Sequence, residues 1–108
     1  MYSLTRTEEE ILLTIWELKE DAYLVAIRRQ LNMITEKELT IGAIHIPLSK
    51  FEKSGIVESN FGEATPKRGG RRKRIYKLTK AGVELLKKHK EIRDRVWSGF
   101  NQSYSRSR

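Results

Sequence analysis

Apolar residues first recur at helical spacing near the N-terminus, where Ile11, Leu12, Ile15, Trp16 and Leu18 fall on one face. Thr7 and Glu10 have the spacing of a capping box, and Glu8, Glu9 and Glu10 sit where a helix dipole favours anions. The pattern therefore predicts a first helix starting at Thr7. Leu24, Ile27 and Leu31 mark a shorter second helix, with Asp21 as its candidate cap and Asn32 near its end. After the polar stretch 35–38, Thr40 can cap a third helix from Ile41 to about Ser54, which Gly55 stops. Its core stripe is Ile41, Ile44, Leu48 and Phe51. Pro47 lies inside this helix and removes a backbone donor, so a bend or a locally wide turn is expected there.

Beyond Gly55 the period changes. Residues 56–61 and 74–78 read as two strand arms joined by a long loop around Gly69-Gly70, an antiparallel hairpin. Thr79 then opens a last helix in which Leu78, Gly82, Leu85, His89, Ile92 and Val96 alternate at spacings of four and three. Run to about Gly99, it would be roughly 30 Å long, more than so small a domain can cover. Ile92, Val96, Trp97 and Phe100 need another partner, and the simplest is the same helix of a second copy. The competing arrangement folds Trp97 and Phe100 back onto the first helix. Residues 101–108 are polar and read as a disordered tail. The predicted fold is mainly α with a small β-hairpin: a winged helix-turn-helix over residues 1–78 and a long C-terminal dimerisation helix over 79–100.

Charge changes this picture from a fold to a surface. Twenty-two Lys and Arg oppose 14 Asp and Glu, a formal net charge of +8. Residues 63–77 hold Lys67, Arg68, Arg71, Arg72, Lys73, Arg74 and Lys77 against Glu63, so +6 of that total is concentrated on the hairpin. Such a loop cannot enter a core without stripping charges of water. It must project, and it then presents a footprint for a polyanion. The plainer reading is a solvated loop that keeps the chain soluble.

Composition excludes more than it names. The chain has no cysteine, hence no disulfide and no thiolate metal site. Its two histidines, His45 and His89, lie on different predicted helices, and there is no GxxxxGK[ST] phosphate loop. No catalytic residue, metal or cofactor is expected. No secretory signal or membrane span is visible, so a cytoplasmic, nucleoid-associated protein without membrane contact is expected.

Three segments carry a family resemblance. Residues 39–52 (Leu-Thr-Ile-Gly-Ala-Ile-His-Ile-Pro-Leu-Ser-Lys-Phe-Glu), 62–71 with the Gly-Gly wing, and 75–82 (Ile-Tyr-Lys-Leu-Thr-Lys-Ala-Gly) resemble the PadR family of bacterial transcriptional regulators. The likeness spans about residues 7–86. It implies a homodimeric repressor whose single C-terminal helix packs against the first helices of its partner. Some short members bind planar hydrophobic compounds at that interface through a tryptophan, which would make Trp97 part of a candidate effector pocket. His45 stands where many members have tyrosine, and Pro47 lies one place later than the usual proline. Leu24 follows Tyr23 where glycine is usual. The first two departures bear on base recognition, the third on packing.

The candidate contacts to double-stranded DNA follow. Thr40, Ala43 and His45 would lie nearest base edges, and Ala43 or Ile46 could meet a thymine methyl. Ser49 and Lys50 suit phosphates. In the wing, Lys67, Arg68, Arg71, Arg72 and Lys73 would track phosphates or enter a narrow minor groove. The dimer interface would comprise Leu85, His89, Ile92, Val96, Trp97 and Phe100. The alternatives are an RNA-binding or architectural winged helix, and a module whose wing binds an acidic protein. A two-fold dimer favours DNA, because it pairs two recognition helices with a palindrome.

Overall fold

The computed structural model describes residues 3–62 and 72–106. Its elements are α1 (Arg6–Leu18), a 3-10 turn (Lys19–Asp21), α2 (Leu24–Thr35), α3 (Ile41–Lys53), β1 (Val57–Phe61), β2 (Arg74–Leu78) and α4 (Lys80–Arg106). The three predicted N-terminal helices, the hairpin and the long last helix are all present in the expected order.

Two helix starts differ from the sequence reading. The cap of α1 is Thr5 rather than Thr7. The Thr5 hydroxyl accepts from the Glu8 N–H at 3.1 Å, and the Thr5 N–H donates to Glu8 Oε1 at 2.8 Å. Thr5/Glu8 and Thr7/Glu10 have equal spacing, and the earlier start also places Leu4 in the core. Asp21 does not cap α2. It belongs to the 3-10 turn, and Tyr23 precedes the helix in an extended conformation with no side-chain cap. The reason is tertiary: the Tyr76 N–H of β2 donates to the Ala22 carbonyl at 2.8 Å, holding this stretch extended beside the hairpin.

The turn from α2 to α3 is built by Asn32, whose amide oxygen accepts from the Leu39 N–H at 2.9 Å while its nitrogen donates to the Leu39 carbonyl at 3.1 Å. Arg28 Nε donates to the same carbonyl at 2.8 Å. Thr40 then caps α3 as predicted, accepting from the Ala43 N–H at 3.1 Å. The helix runs on through Pro47 to Lys53 as one element. Gly55, at φ 75°, supplies the left-handed residue that ends it.

Ile11, Leu12, Ile15, Ile27, Ile44, Leu48 and Phe51 meet Val57, Tyr76 and Leu78 in one core. Trp16, placed on the inner face by periodicity, is instead 60% exposed, and Ile41 sits at the rim of the core rather than in it. β1 and β2 pair antiparallel with Val57 opposite Leu78, Ser59 opposite Tyr76 and Phe61 opposite Arg74.

α4 starts at a third threonine cap. Thr79 accepts from the Gly82 N–H at 3.1 Å, and its hydroxyl sits 2.6 Å from the Gly55 carbonyl and 3.0 Å from that of Ile56. The helix has 27 residues, about 40 Å at 1.5 Å per residue. It passes Gly99 and includes residues 101–106, which the sequence reading assigned to a disordered tail. Its first turns dock on the core through Gly82, Val83, Leu85 and Leu86, and Arg93 further along reaches Glu9 of α1. The rest projects and gives the molecule its 59 × 29 × 21 Å extents.

Candidate nucleic-acid interface

Burying Ile44, Leu48 and Phe51 turns the opposite side of α3 to solvent. Thr40, Gly42, His45, Ile46, Lys50 and Lys53 are exposed there, and Ala43 and Ser49 are half-buried. His45, Ile46, Ser49, Lys50 and Lys53 share one shallow depression on this face. Ile46 is 71% exposed in the middle of a helix, an apolar group presented outward among polar ones.

The sequence signals for these residues were the Thr40 cap and the buried stripe. What the sequence did not reveal is how α3 is tethered. Each glutamate of the run that opens α1 reaches a different element. Glu8 pairs with Lys50 of α3 at 3.1 Å, Glu9 with Arg93 of α4, and Glu10 with Lys37 before α3 at 3.5 Å. Glu8 and Glu9 are buried. A buried charge that loses its partner is costly, so Glu8 and Glu9 depend on Lys50 of α3 and Arg93 of α4 to be held where they are. Lys50, a candidate phosphate ligand, thus also ties α3 to α1.

Burial opposes the charge on Glu8, but hydrogen bonds from the Thr5 backbone and hydroxyl and the ammonium of Lys50 outweigh it. Its carboxyl therefore sits below the ordinary value of 4.5. A folded-state value below the unfolded one gives stability that is complete above the unfolded pKa and is lost as pH falls through the folded one. Glu8→Gln should cost about 0.5–1 kcal/mol at neutral pH. In urea titrations at successive pH values, the gap to wild type should close as pH drops below 4.5. A constant gap would mean that the charge on Glu8 contributes nothing.

On the hairpin, Lys73 lies with its ammonium 5.4 Å from the Tyr23 ring centroid. Arg72 Nε donates to the Gly62 carbonyl at 3.3 Å, and the Arg72 guanidinium lies 5.5 Å from the Phe61 centroid. Arg74 approaches the same ring at 5.4 Å. Burial raises the pKa of the neighbouring Tyr76 phenol, and the Arg74 charge works against that rise. The predicted contacts Lys67, Arg68 and Arg71 lie outside the described residues. Phe61 was not singled out from the sequence, and Arg74 was counted there only as part of the basic cluster; their partnership depends on strand register.

A groove of about 410 Å³ runs between the end of α1 and the hairpin, lined by Ile15, Trp16, Tyr76 and Leu78 among others. Along α4, Leu85 packs on the chain's own core and His89 is half-buried. Val96, Trp97 and Phe100 are 71%, 51% and 57% exposed, and Ile92 is exposed with them. Trp97 meets Phe100 edge-on at 5.4 Å, and Phe100 stacks on Tyr104 at 6.0 Å. Among the described residues, no cluster of acids and histidines could hold a metal ion, and no helix is long and apolar enough to cross a membrane.

No family model and no curated protein matches the sequence. Solved structures do match. A PadR-like transcriptional regulator from Bacillus cereus aligns with a TM-score of 0.75 at 22% identity, over 91% of this chain and 90% of that one. A PadR family transcription regulator from Clostridium difficile R20291 aligns at 0.69 and 26% identity, over 89% of this chain and 97% of that one. A transcriptional regulator from Clostridium thermocellum aligns at 0.67 and 21% identity, over 88% and 89%. The PadR resemblance seen in the sequence motifs thus extends to the fold of about nine-tenths of the chain.

Proposed function

We propose that this chain is a DNA-binding transcription regulator that acts as a homodimeric repressor, reading an inverted repeat through α3 and gripping phosphates with its basic wing. The observation that carries the reading is the unburied face of α3, with Thr40, Ala43, His45, Ile46, Ser49 and Lys50, in a chain that concentrates +6 of its charge on the adjoining hairpin. Phosphate contacts set the register, and the few groups near the start of α3 discriminate bases. The relatives of the same fold are described as transcriptional regulators, which supports the assignment.

The dimer follows from what each subunit leaves uncovered. α4 exposes Ile92, Val96, Trp97, Phe100 and Tyr104, and α1 exposes Leu13 and Trp16. Monomeric soluble proteins rarely expose contiguous apolar surface of this kind. Packing the distal half of α4 against a second copy would cover it and set two copies of α3 about one helical turn of DNA apart. A small hydrophobic effector that inserts beside Trp97 would then change the spacing of the two halves. The chain acts in the cytoplasm, at the nucleoid.

Selection of the purified protein on a random duplex library at near-physiological salt tests the reading. The expected result is an inverted repeat with half-sites about 34–36 Å apart, or one turn. Binding without an enriched motif would favour the architectural or RNA-binding alternative.

A further inference from the structure

Strand alternation puts Val57, Ser59 and Phe61 of β1 on one face with Leu78, Tyr76 and Arg74 of β2. The first of these cross-strand pairs is buried. In the second, Tyr76 is buried, and the Ser59 hydroxyl donates to Glu52 Oε2 of α3 at 2.7 Å, so this face of the hairpin looks toward the recognition helix. The third pair runs past the edge of the core. Phe61 is 55% exposed and Arg74 is exposed. A phenyl ring at that position has no core to enter, and its neighbours are cations instead.

Two guanidiniums, those of Arg72 and Arg74, lie within 5.5 Å of the one ring centroid. Among the described residues, neither forms an ion pair. Arg72 is further held by its Nε bond to the Gly62 carbonyl. Two like charges gathered at one ring repel, and each cation–π contact at an exposed site returns only about 0.5–1 kcal/mol. An anion received by both would relieve the repulsion. It would also find two long side chains already ordered, which removes part of the usual entropic penalty of binding.

We propose that Phe61 is a positioning residue that holds Arg72 and Arg74 as a pre-arranged pair for the DNA backbone, with Arg74 as a further phosphate contact. The pair adds affinity without sequence preference, and the ring sets its direction. This rests on the DNA-binding reading above.

The test is the salt dependence of binding of the full chain to a mixed-sequence duplex long enough for two half-sites. It compares wild type, Arg72→Gln/Arg74→Gln, Phe61→Leu, Phe61→Tyr and the triple variant with Phe61→Leu. Losing two phosphate contacts in each subunit, four in the dimer, should reduce the log–log salt slope by about 3.6, at about 0.9 each. Phe61→Leu should weaken binding several-fold, and Phe61→Tyr, which keeps the ring, should restore it. In the background without the two arginines, Phe61→Leu should have no further effect. An equal loss in both backgrounds would assign Phe61 a merely structural role and overturn the proposal. So would an unchanged slope in Arg72→Gln/Arg74→Gln. Those outcomes leave the DNA-binding reading standing, whereas wild-type protein that fails to bind the duplex removes both.

Discussion

Gly82→Ala should destabilise this protein by about 2 kcal/mol, although helix propensity alone predicts a gain of up to about 1 kcal/mol. Gly82 lies in the first turn of α4, where a Cβ would come within 2.3 Å of the Ile56 carbonyl oxygen and 3.3 Å of its carbon. Both are backbone atoms and cannot rotate away. The same oxygen accepts from the Thr79 N–H at 3.1 Å and lies 3.0 Å from the Thr79 hydroxyl, so moving it disrupts the cap of α4. In a domain of this size, that loss would lower Tm by about 8–16 °C, compared at one protein concentration because a dimer's Tm varies with it. Gly42→Ala is the control. It is also helical, its Cβ would meet only Thr40 Oγ1 at 3.9 Å, and it should raise Tm. If Gly82→Ala raised Tm as well, the packing of α4 on the turn after α3 would be wrong.

Where local chemistry decides the structure, the sequence was readable. The Thr40 cap, the stop at Gly55, the buried stripe of α3 and the two hairpin arms follow from spacing and turn residues. Where distant contacts decide, it was not. Thr5 and Thr7 offer equal capping boxes, and the burial of Leu4 separates them. Asp21 lost its role because Ala22 is hydrogen-bonded to Tyr76, more than fifty residues along the chain. Trp16 falls within an apolar period yet lies at the rim of a groove, which periodicity cannot distinguish from the core. The run Glu8–Glu10 looked like helix-dipole chemistry alone, and its second use as three tethers became visible only with α3 and α4 in place. The exposed side of α3 was legible as the complement of its buried stripe. The Phe61–Arg74 pairing needed the register, because a one-residue slip would have sent the two side chains to opposite faces.

Val96→Glu/Phe100→Glu should convert a dimer into a monomer and reduce affinity for a full inverted repeat by about 10²–10⁴-fold, the gain that linking two half-site contacts supplies. The two positions are one helical turn apart on the projecting half of α4, where the subunit buries none of its own residues. Glutamate is a good helix former, so α4 should persist while its apolar face is lost. Two added acids also weaken attraction to DNA in general, and a duplex with a single half-site measures that part, because linkage cannot contribute there. A similar loss on the single and double sites would mean that charge alone explains the effect. Sedimentation equilibrium supplies the independent reading. If the variant remains dimeric, the contact lies elsewhere, with Leu13 and Trp16 of α1 the next exposed apolar residues to test. If the wild type is itself a monomer, the palindrome argument fails, and binding of the basic hairpin to RNA or to an acidic protein becomes the better account.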